Sequence, residues 1–84
     1  MNKKQRQTLK KIFERPERLD ISWDDIEELF LSLGAEVTEG KGSRVRVALN
    51  DVRAVFHRPH PARATNKGTV KSVQRFLIES GVEP

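Results

Sequence analysis

Residues 43–57 (Ser-Arg-Val-Arg-Val-Ala-Leu-Asn-Asp-Val-Arg-Ala-Val-Phe-His) constrain the fold more than any other stretch. Val45, Val47 and Leu49 alternate with Arg44, Arg46 and Ala48, the period-2 pattern of a half-buried strand. Asn50 and Asp51 follow. Both residue types tolerate positive φ, so together they predict a tight hairpin turn. The returning strand, Val52 to His57, puts Val52, Ala54 and Phe56 inward and Arg53, Val55 and His57 outward. With a first short strand over 35–39 and a flexible Gly40-Lys41-Gly42 turn, the pattern predicts an antiparallel meander with one apolar and one basic face.

Helical periodicity supplies the rest. Leu9, Ile12 and Phe13 form one stripe in a helix from Lys3 to Phe13, which stops before Pro16 because a residue preceding proline avoids the helical region. Residues 15–21 read as a linker. Trp23, Ile26, Leu29, Phe30 and Leu33 mark a helix over 23–33. Ser22 is its expected N-cap, with Asp25 completing a capping box, and four acidic residues crowd the first turns, where the helix dipole favours anions. Gly34 is suited to the left-handed position that ends this helix. Arg58-Pro59-His60-Pro61 begins a loop, since two prolines remove ladder donors. Thr65 or Asn66 then caps a helix over 67–80, whose stripe is Val70, Val73, Phe76 and Leu77 and whose terminator is Gly81. The order α-α-β-β-β-α is an α+β sandwich: a three-stranded antiparallel sheet with helices packed on one face.

Composition narrows the chemistry. Eighty-four residues suit one domain. The absence of cysteine excludes a disulfide scaffold, a thiolate zinc site and a cysteine nucleophile. With two histidines and no cysteine, neither a metal site nor a cofactor is expected. No apolar run approaches the roughly 20 residues of a membrane span, and no apolar segment follows the basic N-terminus as in a signal peptide, so the expected compartment is the cytosol.

The net charge of +4 conceals a segregation. Residues 1–18 carry +5, residues 19–40 carry −7 with no basic residue, and residues 41–84 carry +6. Basic segments invite a polyanion, although solvated faces would give the same counts. Arg44, Arg46, Arg53 and His57 share the outward side of the hairpin, where like charges repel unless an anion joins them. His57 and His60 stand three apart beside prolines, and imidazoles ordinarily titrate near neutral pH. RNA carries its own nucleophile, the 2′-hydroxyl. A ribonuclease therefore needs only a base, an acid and a cation for the phosphorane. Arg63, Lys67 and Lys71 flank the start of the last helix, whose free N–H groups suit phosphate. The plainer reading leaves His57 at a sheet edge, His60 packed on Pro61 and the lysines as ordinary surface residues.

Lys41-Gly42-Ser43 leading into a strand, the Pro59-His60-Pro61 turn, and Lys67-Gly68-Thr69-Val70 opening a helix that ends at Gly81 together resemble the HicA family, small toxins of bacterial type II toxin–antitoxin modules. The resemblance covers about residues 22–82. It implies a HicA-like domain over 22–84, similar to double-stranded-RNA-binding domains, behind a 1–21 helical extension and linker. It further implies metal-independent endonucleolytic cleavage of mRNA and neutralisation by a HicB-type antitoxin. In that pattern the residue after Lys-Gly-Ser is a histidine taken as catalytic; here it is Arg44, which can stabilise a phosphorane but not accept a proton. The candidate catalytic set is therefore His60, His57 and Arg44. The candidate RNA contacts are Lys41, Ser43, Arg46, Arg53, Arg58, Arg63, Lys67 and Lys71. Two other readings stay open: a relative that binds RNA without cutting it, and a protein-interaction module whose acidic helix 23–33 docks a basic partner.

Overall fold

The computed structural model describes residues 1–59 and 64–84. Its elements run α1 (Lys3–Ile12), α2 (Trp23–Ser32), β1 (Glu36–Glu39), β2 (Arg44–Leu49), β3 (Val52–His57) and α3 (Lys67–Glu79). The sheet is an antiparallel meander in the order β1-β2-β3. The architecture is α+β with helices on one face of a three-stranded sheet, consistent with a double-stranded-RNA-binding-domain-like fold.

The hairpin forms as its pattern requires. Asn50 and Asp51 both take positive φ, 50° and 68°, which matches the twist of the flanking strands. Leu49 pairs with Val52 and Val45 with Phe56. Inward side chains Val45, Val47, Leu49 and Phe56 are buried, while Arg44, Arg46, Arg53, Val55 and His57 are exposed.

α2 lies against β1, α3 against β3, and α1 against both α2 and α3. The core centres on four rings: Phe56 is 5.7 Å from both Trp23 and Phe30 and 5.8 Å from Phe76, in tilted, stacked and edge-on contacts. Leu9 and Ile12 of α1 belong to this same core, together with Ile21 from the segment read as a linker. The carbonyl of Ile21 accepts from the Thr65 N–H at 2.8 Å, and Ser22 bridges to Ala64. The buried Gln74 Nε2 donates to the Ile12 carbonyl at 2.6 Å, tying the end of α1 to α3.

The caps depart from the sequence reading in one place. Ser22 is the N-cap residue of α2, but its side chain makes no capping bond, and the expected box with Asp25 does not form. Asp25 instead meets Lys4 at 3.3 Å. The capping box occurs at α1, where the Asn2 side chain accepts from the Gln5 N–H and the Gln5 side chain accepts from the Asn2 N–H, both at 2.9 Å. Asn66, rather than Thr65, caps α3 by accepting from the Thr69 N–H at 2.8 Å. Gly34 and Gly81 end α2 and α3 at φ 88° and 83°.

Candidate nucleic-acid interface

The antiparallel register sets the outer face of the sheet. Arg44 pairs with His57, Arg46 with Val55 and Ala48 with Arg53, while Thr38 and Glu36 of β1 adjoin Arg46 and Ala48. The Arg58 N–H donates to the Ser43 carbonyl at 2.9 Å. That bond makes the adjacent Arg44–His57 pair a non-hydrogen-bonded one, in which Cβ atoms approach to about 4.5–5.5 Å. Glu36, Thr38, Arg46, Arg53 and Val55 line a shallow trough of about 490 Å³ across this face. Arg44, Arg46 and Arg53 have no salt-bridge partner among the described residues.

Lys41 and Ser43 sit on the loop joining β1 and β2. The turn expected to be flexible is pinned at both ends: the Gly40 N–H donates to the Arg44 carbonyl at 2.9 Å, and the Arg44 N–H to the Lys41 carbonyl at 3.2 Å. A Cβ on Gly40 would lie 3.0 Å from the Arg44 Cβ, so a side chain there would require Arg44 to give by a few tenths of an ångström.

Arg58, read from the sequence as an RNA contact, has its half-buried guanidinium engaged by two carboxylates. Nε donates to Glu27 Oε2 at 2.7 Å and Nη2 to Glu27 Oε1 at 3.0 Å, a bidentate pair, and Nη1 meets Glu39. The Trp23 indole N–H also donates to Glu27. The hydrogen bond from Arg58, opposed by partial burial, holds the Glu27 carboxyl below its ordinary range, and Arg58 is raised in return. This clamp joins α2, β1 and the residue that follows β3, next in the chain to His57.

The other predicted residues divide. Lys67 is the first residue of α3. Lys71 is on the helical side of the molecule, in a depression shared with Arg15, Glu17 and Arg75. The sheet's outer face and Lys71 are therefore not one surface. His60 and Arg63 lie outside the described residues. The acidic helix also differs from a free docking face: Glu27 holds Arg58, while Asp25 and Glu28 hold Lys4 at 3.3 and 3.4 Å. Sequence reasoning missed both clamps. The alternation of opposite charge blocks along the chain was the available signal, but blocks do not name pairs.

No helix among the described residues is long and apolar enough to cross a membrane. No curated protein and no solved structure matches the chain. A family model described as the HicA toxin of bacterial toxin-antitoxin matches residues 23–82, from the first residue of α2 to just beyond α3. The meander, the Lys-Gly-Ser turn and the helix opened by Lys67-Gly68-Thr69 thus all fall within that match, and the chain belongs to the HicA toxin family of bacterial toxin–antitoxin systems.

Proposed function

We propose that the protein is a toxin that inhibits translation by cleaving mRNA in the cytoplasm without a metal, and that the outer sheet face is where it acts. The observation carrying this reading is the Arg44–His57 pair, an imidazole and a guanidinium side by side on an exposed face, next to the Lys41–Ser43 loop and Arg46. His57 accepts the 2′-hydroxyl proton as the 2′-oxygen attacks phosphorus. Arg44 and Arg46 stabilise the charge that builds on the phosphorane. The bond from phosphorus to the 5′-oxygen breaks, leaving a 2′,3′-cyclic phosphate and a 5′-hydroxyl. The leaving oxygen takes a proton from an acid, the role given to His60, three residues along the chain. Lys41, Ser43, Arg53, Arg63 and Lys67 hold flanking phosphates, while Arg58 supports the site from behind. A HicB-type antitoxin with an acidic surface would neutralise the toxin by covering the same face.

The test is cleavage of a defined mRNA in EDTA. His57→Ala and His60→Ala should each lower the rate by about 10²–10⁴-fold while leaving the melting temperature unchanged. If both variants stay fully active and Arg44→Ala does not, the proton-transfer assignment fails. Arg44 in place of the family's histidine favours one second reading, an RNA-binding relative that does not cut. It would show salt-dependent RNA binding with no cleavage and no growth arrest on expression.

A further inference from the structure

Seven of the sixteen basic residues precede residue 19, ahead of the segment the family model matches. α1 buries Thr8, Leu9 and Ile12. At about 100° per residue, Lys3 and Lys10 project from the opposite side of the helix and Arg6 from its flank, where its Nη2 donates to the Met1 carbonyl at 3.3 Å. All three are exposed, and none has a salt-bridge partner among the described residues; Lys4, turned toward α2, is the α1 cation that meets carboxylates. Beyond the end of α1 the surface changes: the depression on the helical side mixes Arg15, Lys71 and Arg75 with Glu17, Glu79 and the exposed Ile78. The core separates this ridge from the outer sheet face, because Leu9 and Ile12 pack into the same cluster as Val45 and Phe56.

The ridge exposes cations and glutamine. The large exposed apolar side chains, Met1, Leu19, Leu31, Val55 and Ile78, all lie outside α1. Protein interfaces centre on aromatic and apolar anchors and are depleted in lysine, so this composition suits a phosphate backbone better than a protein. We propose that the α1 ridge of Lys3, Arg6 and Lys10 is a second RNA-backbone site on the face opposite the sheet. The choice of RNA among polyanions rests on the reading of the sheet face. A strand long enough to pass around a body whose least extent is 21 Å would engage both faces, and the first contact would raise the effective concentration at the second.

The experiment uses the full chain, 2′-O-methyl RNA that cannot be cleaved, and fluorescence anisotropy across a salt series. Lys3→Ala/Arg6→Ala/Lys10→Ala should weaken binding of a long strand and reduce the log–log salt slope by about two, three contacts at roughly 0.7 each. Its melting temperature and its cleavage of a short RNA should stay as in the parent. An unchanged slope overturns the proposal, as does intact RNA binding with selective loss of binding to an acidic protein partner. Loss of cleavage in His57→Ala with α1-dependent binding retained leaves both readings standing. A parent chain that binds through α1 but never cuts defeats only the sheet-face reading.

Discussion

Replacing Glu27 with alanine tests whether Arg58 serves the fold or the ligand. The pair is neither surface nor core: the Glu27 side chain is 19% exposed and that of Arg58 33%. Exposed pairs contribute about 0–1 kcal/mol, and breaking a fully buried one costs about 3–5. The alanine also leaves the indole N–H of Trp23, a residue only 2% exposed, without its acceptor, at a cost of about 1–3 kcal/mol. Arg58 keeps Glu39, which softens the loss. A destabilisation of about 2–3 kcal/mol follows, and at roughly 4–8 °C per kcal/mol for a domain of this size the melting temperature should fall by about 10–20 °C. Circular dichroism measures it, and a cycle with Arg58→Met should return a coupling of about 1–2 kcal/mol. Because the folded-state carboxyl of Glu27 titrates below its unfolded value, the pair's contribution is complete above about pH 4.5 and drains as pH falls through the folded value. Glu27→Gln should flatten that part of the stability–pH curve. A destabilisation under about 0.5 kcal/mol, or an Arg58→Met variant that loses RNA affinity at an unchanged melting temperature, would refute the clamp.

Two further perturbations probe the site's support. Gly40→Ala forces a methyl to 3.0 Å from the Arg44 Cβ, so RNA cleavage should fall several-fold, with stability lowered by about 1 kcal/mol; kinetics and melting on the same sample separate the effects. Ile12→Ala opens a hole at a position with no exposed surface and should cost about 2–5 kcal/mol by chemical denaturation, although residue 12 lies outside the family match.

Much of the fold was legible because it rests on local periodicity. The alternation over Val45–Leu49, the Asn50-Asp51 turn and the glycines at 34 and 81 are each decided within a few residues, and each formed as read. What escaped were relations across the chain. The segment 15–21 carries prolyl and charged residues typical of a linker, yet Ile21 enters the core through a hydrogen bond to Thr65 that no neighbour in sequence announces. Ser22 has the right residue type for a cap, but Asp25 is drawn to Lys4, more than twenty residues earlier. Arg58 looked like one more cation on a basic loop because Glu27 stands 31 residues away.

The same distinction applies to Arg44 and His57. Along the chain, an arginine at 44 is a departure and a histidine at 57 an unrelated feature of the next strand. The register makes them one feature: Arg44 and His57 are directly opposed on adjacent strands. An imidazole at 57 stands within about 5 Å, at Cβ, of where one at 44 would begin. The pair places an imidazole and a guanidinium on one exposed patch, each on its own strand. Substituting Arg44→His together with His57→Arg exchanges the two groups between β2 and β3 without changing the composition of the face.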